Sequence, residues 1–533
     1  MKPLHAAASA LCAATLLTAC TAPDSGDLNN TDSTSAQPAT SSAPASEKGS
    51  TATATEAKAT NVDTREFSLE DITVEGDTVL PVRGTITTSG KSNSPLIIIS
   101  HLRSFNCSDE TFAYPCAKDA KEVRLDKGMA YLAKTLGQAG YTVVVPDLGP
   151  LWAPDELDKP YDQTKAWMAT MDKIRRTLAD ANEGKTTLMG KALKGNIDLE
   201  HTGLFMHSRS AIVANDAAKA WPGVSLVSYG GFYALPETDE DEFAPAPPDV
   251  PLLVIDGEAD QDVDRAGASW LPEYVALDRT APAFSVIVPG LGHNFINTTL
   301  SEKEFDDRTV QEATAEDHQK FLSTAVVSWF DQTIRQAEGP FPMSAGGELP
   351  DTVGGLDARV FAVTPNTGDK TARRWVATAT GPKLEGAEVT YCRNYPLMNP
   401  MEYPDRCELA KLGMVHSSSL VARFELSDTP VSVPVTAEDA QSVIVHVMPS
   451  GSRKDKKDTA LDLTLVTDGG ERIAVAVPAG NQALRDRQAK NNNGEYWIET
   501  LRLPLPPEAE GKTITSVELT GQGSIDLRAV ELF

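Results

Sequence analysis

Ser208 stands where an apolar run, residues 202–206 (TGLFM), gives way at once to a helical pattern at 209–219. A serine on such a strand-to-helix turn has its hydroxyl raised above the sheet edge, with backbone N–H groups of the next turn close by. That placement suits a nucleophile, but a hydroxyl of ordinary acidity needs a base beside it. His293, in Gly290-Leu-Gly-His-Asn-Phe after the apolar run 283–288, is the candidate base. Asp260, in Gly257-Glu-Ala-Asp after the run 251–256, is the candidate carboxylate that fixes the imidazole tautomer, with Asp262 and Asp264 as substitutes. Taken singly, a serine after a strand caps a helix, an aspartate in an acidic chain is solvated, and a histidine beside glycine is a loop residue. Together, each at the end of an apolar strand, they compose an acyl-transfer triad.

The elements that must carry these residues alternate. Residues 66–73 and 78–88 read as an opening pair of strands, and 95–100 (PLIIIS) as a buried parallel strand. A helical stretch at 127–138 ends before Gly140, and a strand follows at 141–146 (YTVVVP). An amphipathic helix is expected at 163–179, strands at 224–229, 251–256 and 283–288, and a last helix at 315–336. Such alternation predicts a mostly parallel sheet covered on both faces. Beyond Gly339 period-2 patterning takes over, and the runs at 461–465 and 473–477 flank Asp468-Gly469-Gly470, a hairpin signal. Residues 496–505, 514–520 and 524–533 continue as strands, so an all-β sandwich is expected over 339–533.

His207-Ser208-Arg209 resembles the GHSRG elbow of secreted α/β-hydrolases of the chlorophyllase-like and polyester-hydrolase branches, with Met206 and Ser210 in place of the flanking glycines. Gly257-Glu-Ala-Asp260 resembles the acid loop of that family, and the order serine, aspartate, histidine is the one its fold uses. The resemblance implies an α/β-hydrolase fold over residues 63–338 and catalysis by Ser208, Asp260 and His293. It also implies an oxyanion hole. One donor is the backbone N–H of Arg209; the other, from the loop after PLIIIS, is that of Arg103, with Leu102 second, since His101-Leu102-Arg103 stands where relatives have His-Gly-X. The ending GSIDLRAVELF resembles the last strand of galactose-binding-like jelly rolls.

Lys2 followed by the apolar stretch 6–17, too short to span a bilayer, leads into Leu17-Thr18-Ala19-Cys20, which resembles a bacterial lipoprotein box. Residues 1–20 are therefore expected to be a signal segment, with Cys20 lipidated and the protein carried on the extracytoplasmic face of the membrane. Residues 21–62 have only Leu28 and Val62 as large aliphatics and read as a disordered Ser/Thr/Ala/Pro-rich tether. In an exported protein the remaining cysteines pair most economically as Cys107–Cys116 and Cys392–Cys407, other pairings staying formally open.

With 48 Lys and Arg against 75 Asp and Glu, the net charge is -27. Nucleic acid is thereby a poor partner, and so is an anionic membrane approached through a basic patch. The chain carries no phosphate-binding glycine loop, HExxH or CxxC, so no cofactor or metal is expected. The inserts at 148–162 and 231–249 fall on the sheet edge of the triad, where Trp152, Phe232, Tyr233 and Phe243 are candidates to line a pocket. The expected function is hydrolysis of small-molecule or polymeric carboxylic esters. An envelope acyltransferase and an inactive binding protein are the rivals; for the latter, Trp375, Trp497, Tyr391, Tyr395 and Tyr403 are candidate glycan contacts of the C-terminal region.

Overall fold

The structure is a computed structural model of the 533-residue chain. It describes residues 62–533 except 76–77, 154–160, 187–192, 233–244, 261, 264–266, 302–312, 366–372, 379–380, 382, 395–418, 451–457 and 486–496. The chain divides into Met1–Ala57 and Lys58–Phe533. The expected signal segment with Cys20 and nearly all of the expected tether lie outside the described residues.

The first sheet is built from β1 (Asp63–Ser68), β2 (Arg83–Thr88), β3 (Ser94–Ser100), β4 (Thr142–Pro146), β5 (Ile197–His207), β6 (Ser225–Tyr229), β7 (Leu252–Gly257), β8 (Ala283–Val288) and β9 (Arg359–Val363). Their spatial order is β1-β2-β4-β3-β5-β6-β7-β8-β9. From β4 to β8 the neighbours are parallel, whereas β2 is antiparallel to both β1 and β4, and β9 is antiparallel to β8. The helices α1 (Ala130–Ala139), α2 (Gln163–Asn182), α3 (Ala214–Ala220), α4 (Gly267–Glu273) and α5 (Ala315–Arg335) complete this part. The opening strands are shorter than expected. Leu69 and Pro81 end them, a small hairpin lies between, and Pro81 has no N–H to offer a ladder.

Successive strand residues point to opposite faces, and here both faces are apolar. Leu96, Ile98, Leu204 and Met206 pack under α2 and α3 with Trp167, Met171 and Ala214, whereas Ile97, Ile99, Val143 and Phe205 pack under α1 and α5 with Leu136, Phe321 and Trp329. Each of these fully buried aliphatic chains stabilises the fold by roughly 1.5–3 kcal/mol. α5 starts with a reciprocal capping box between Thr314 and Asp317, and α1 ends at Gly140 with φ 101°. Eight strands in this order, β2 reversed and helices on both faces, make the α/β-hydrolase fold.

The remainder is all-β and antiparallel. Its strands include β10 (Ser419–Leu426), β11 (Val431–Glu438), β12 (Ser442–Pro449), β13 (Ala460–Thr467), β14 (Glu499–Pro504) and β15 (Thr513–Leu532). The hairpin expected at Asp468-Gly469-Gly470 is present, with β13 paired to Arg472–Val475. β15 is a single 20-residue strand where two were expected. Its first half pairs with β11 and β13, its second with β10 and β12, and the change falls at Gly521 and Gly523, both at positive φ. A Cβ on Gly521 would come within 1.9 Å of the Ala460 carbonyl oxygen, so only glycine allows that approach.

The two regions share a strand and a core. β9 lies beyond the boundary expected at residue 338, yet it completes the first sheet and packs on β14, where the Ala362 N–H donates to Thr500 Oγ1 at 2.9 Å. Buried Arg359 donates to Glu499 at 2.9 Å, and buried Arg528 donates to the carbonyls of Pro272 and Glu273 on α4, both at 2.6 Å. Arg359 donates to Glu258 as well, at 3.3 Å, so its buried charge is shared between two carboxylates.

Candidate active site

β5 ends at His207, and Ser208 follows with φ 55°, in the left-handed region that a side chain rarely adopts. Holding a non-glycine residue there costs on the order of 1–3 kcal/mol and recurs where function demands it. A tight 3-10 turn, Ser208–Val213, precedes α3, so the helix begins later than its sequence pattern suggests. Neither replacement of a flanking glycine obstructs this turn. Met206 is absorbed in the core under α2. Ser210 donates to the His101 carbonyl at 2.6 Å while accepting from Ser100 at 2.8 Å, and Ser100 accepts in turn from Trp167 Nε1 at 3.0 Å. This chain ties the Ser208 turn to the loop after β3, a link that Ser210 itself supplies.

Asp260 and His293 sit after β7 and β8, at the same sheet edge, and both are fully buried. His293 Nδ1 is 2.7 Å from Asp260 Oδ2, and Asp260 Oδ1 accepts the Asp262 N–H at 2.9 Å. The two turns come together because Gly257 has no side chain: a Cβ there would lie 2.3 Å from the Leu291 carbonyl oxygen. Gly230, after β6, has φ 50°, and a Cβ on it would lie 2.8 Å from both His293 Nδ1 and Asp260 Oδ2. Sequence reasoning missed Gly230. Its signal was the glycine pair directly after a strand on this edge.

The histidine loop is held from three sides. Tyr229 donates to the Gly292 carbonyl at 2.6 Å, and His318 Nε2 accepts the Gly292 N–H at 2.8 Å. His207 lies with its ring 5.0 Å from that of His293 and its Nε2 3.0 Å from the His293 carbonyl oxygen. A carbonyl only accepts, so that Nε2 carries hydrogen. Burial, together with neighbouring His293, holds His207 well below the usual histidine range and keeps it neutral.

Asp262 is not an alternative orienting acid. Its carboxylate stands 3.1 Å from His293 Nε2, across the ring from Asp260, with its side chain 54% exposed to the cleft. Asp264 lies outside the described residues.

Ser208 opens on a cleft of about 330 Å³, bordered by Arg103 and Arg209, the phenylalanines 105, 112 and 232, and Asp262. Of the expected oxyanion donors, Arg209 and Arg103 line this cleft, whereas Leu102 is buried with Leu125 and Leu300 behind it. His101 supports the loop from beneath: its Nε2 accepts the Leu148 N–H at 2.9 Å and its Nδ1 lies 2.8 Å from the Leu102 carbonyl oxygen. Burial lowers its pKa as well. The expected Cys107–Cys116 disulfide is formed, with Cα atoms 5.6 Å apart, and closes the loop that carries Phe112, with Phe105 just before it. Cys392 lies on Thr390–Asn394, and its expected partner Cys407 is outside the described residues.

Phe232 lines the cleft as expected, and its N–H donates to the Ser208 carbonyl at 3.0 Å. Trp152 does not line it: it is buried beneath, donating from Nε1 to the His101 carbonyl at 3.3 Å. Tyr233, Phe243, Tyr395 and Tyr403 lie outside the described residues. Trp375 and Trp497, candidate glycan contacts, are 6% and 2% exposed and serve as core, and Tyr391 packs partly buried on the same core as Trp375. Among the described residues no three His, Cys, Asp or Glu side chains are grouped so as to hold a metal ion.

No family model matches the sequence, and no curated protein matches it. Solved structures resemble it in fold. Dienelactone hydrolase from Anabaena variabilis ATCC 29413 is 15% identical with a TM-score of 0.30, the match covering 51% of this chain and 99% of that one. Carboxyl esterase 2 from the fungus Tuber melanosporum is 12% identical with a TM-score of 0.29, covering 53% and 90%. An aminopeptidase from the marine sediment archaeon Thaumarchaeota archaeon is 10% identical with a TM-score of 0.30, covering 92% and 99%. At these identities the likeness is one of fold alone.

Proposed function

We propose that the chain is a serine hydrolase that cleaves carboxylic esters through an acyl-enzyme, anchored by lipid on Cys20 at the extracytoplasmic face of the cell membrane. One observation carries the catalytic reading. The buried Asp260–His293 pair, 2.7 Å apart, lies at the sheet edge where Ser208 opens on a cleft at a φ of 55°. In this reading His293 Nε2 takes the Ser208 proton as Oγ attacks the ester carbonyl, and Asp260 stabilises the imidazolium. The N–H groups of Arg209 and Arg103 receive the oxyanion. His293 then protonates the leaving alcohol, and water attacks the acyl-serine by the same route in reverse.

Asp262 must leave Nε2 before the serine proton can be taken, and its exposed position lets it swing toward solvent. The binding-protein alternative loses support, because Trp375 and Trp497 are core residues. The reading is tested by turnover of p-nitrophenyl esters graded by acyl length, in wild type and Ser208→Ala, with and without an added polyol. Turnover that depends on Ser208 supports it. Acyl transfer to the polyol in preference to water would make the protein a transferase, and turnover retained in Ser208→Ala would move the nucleophile elsewhere.

A further inference from the structure

Asp260 lies on the loop between β7, which ends at Gly257, and α4, which begins at Gly267. At its start the backbone joins the histidine side of the site. The Glu258 N–H donates to the Val288 carbonyl at 2.9 Å, and the Ala259 N–H donates to the Leu291 carbonyl at 3.0 Å. The Glu258 side chain also accepts from Arg359 Nη1 at 3.3 Å. Arg359 pairs across the sheet with Ile287, and its Nε donates to Glu499 on β14 at 2.9 Å. Both Arg359 and Glu499 are buried, so solvent and salt screen this bridge little.

The far end of the loop is held from the same region. Arg528 on β15 donates to the last carbonyls of α4, from Nε to Pro272 and from Nη2 to Glu273, both at 2.6 Å. Its Nη1 donates to the carbonyls of Ala377 and Leu420 at 2.7 and 2.9 Å. Carbonyls at a helix end have no partner within the helix, and a buried cation there satisfies them. The Leu420 N–H on β10 donates to Glu273 Oε2 at 3.2 Å, and Trp497 packs with Ala268 of α4 and Ile287 of β8. Fixing both ends of a loop removes conformations from its middle. Here the middle carries the carboxylate that meets His293 at 2.7 Å.

We infer that the C-terminal β region is a positioning element of the site. Arg359 and Arg528 are the residues through which it holds the Asp260 loop, and Asp260 in turn holds His293. Neither arginine touches the reacting atoms. This rests on the serine-hydrolase reading above and adds to it a role for the second half of the chain.

The test starts with Glu258→Ala, which cuts the bridge at the loop and leaves Arg359 paired with Glu499. Its kcat should fall by about tenfold or more with KM changed less than about twofold. Glu258→Gln, which still offers Arg359 an oxygen, should recover most of the loss. Arg528→Lys keeps the charge but lacks the fork that reaches α4 and Leu420 together. It should lower kcat in the same way; should it not fold, Glu258→Ala decides alone. Val433→Ala, a cavity in the C-terminal core on β11, should lower Tm and leave kcat unchanged. Wild-type kcat in Glu258→Ala, a glutamine variant no better than alanine, or an equal loss in Val433→Ala would overturn the inference. A second readout needs no substrate. In proton NMR the Nδ1–H that His293 gives to Asp260 should appear far downfield of the amides and vanish in Asp260→Asn. It should broaden in Glu258→Ala and sharpen again in Glu258→Gln. If the wild type turns over no ester, the hydrolase reading fails separately and this proton still decides: broadening supports the inference, and an unchanged signal overturns it.

Discussion

His293 presents Nδ1 to Asp260 at 2.7 Å and Nε2 to Asp262 at 3.1 Å, so one imidazole stands between two carboxylates of unequal exposure. Asp260 is fully buried and fixed by backbone N–H groups of its own turn, whereas the Asp262 side chain is 54% exposed. The first is placed to orient the ring; in the proposed mechanism the second stands near the nitrogen that would accept the Ser208 proton.

The two carboxylates should therefore behave differently on neutralisation. Asp260→Asn should lower kcat by about 10³–10⁴, because the amide no longer selects the Nδ1–H tautomer. Asp262→Asn should leave kcat at or above the wild-type value, since its carboxylate faces Nε2 and does not hold the ring through Nδ1. Stopped ester assays from about pH 4 to 9 check both. A loss of kcat in Asp262→Asn as large as that in Asp260→Asn would contradict this division of roles.

Gly230 leaves no room for a side chain beside the Asp260–His293 pair. Gly230→Ala should lower kcat by about 10²-fold, because its Cβ would lie 2.8 Å from both bonded atoms. KM should change little, since Gly230 does not border the cleft. A rise in KM at constant kcat would place the damage in binding instead.

Relief of backbone strain offers a stability check at Ser208. Ser208→Gly should abolish turnover and raise the unfolding free energy by on the order of 1 kcal/mol, because glycine adopts a φ of 55° without steric cost. Ser208→Ala should abolish turnover with Tm close to wild type. Urea midpoints and Tm values of the three proteins decide it, and a destabilised Ser208→Gly would contradict the strain argument.

Two buried neutral histidines predict a pH dependence of stability. His101 and His207 both have folded pKa values pushed below the ordinary value by burial. The unfolded chain therefore binds protons that the native state refuses. Their contribution is fully present above about pH 6.5 and is lost as pH falls below it. Urea midpoints should stay level from pH 8 to 7 and drop toward pH 5, with a shallower drop in His207→Gln. An equal slope in that variant would assign the effect to other groups.

Much of this arrangement was legible in the sequence because each catalytic candidate lies within five residues after a continuous apolar run, and such runs become buried strands. The limits have equally local causes. Arg359–Val363 reads like any other strand of the C-terminal region, and nothing in its pattern says that it completes the first sheet. Gly521-Gln522-Gly523 reads as a turn, whereas it bends one long strand between two sets of partners. Trp375 and Trp497 are aromatic in either role, and only burial separates a core tryptophan from a ligand platform. Asp262 was named from its proximity to Asp260, but which ring nitrogen it faces depends on a turn two residues long.

The most direct test is covalent. Folded protein, treated with a fluorophosphonate at about pH 8 and digested, should yield a single labelled peptide carrying the adduct on Ser208. Labelling should be lost in His293→Ala and slowed in Asp260→Asn. A folded wild type that remains unlabelled, or that carries the adduct on another serine, would contradict the proposal that Ser208 is the activated nucleophile.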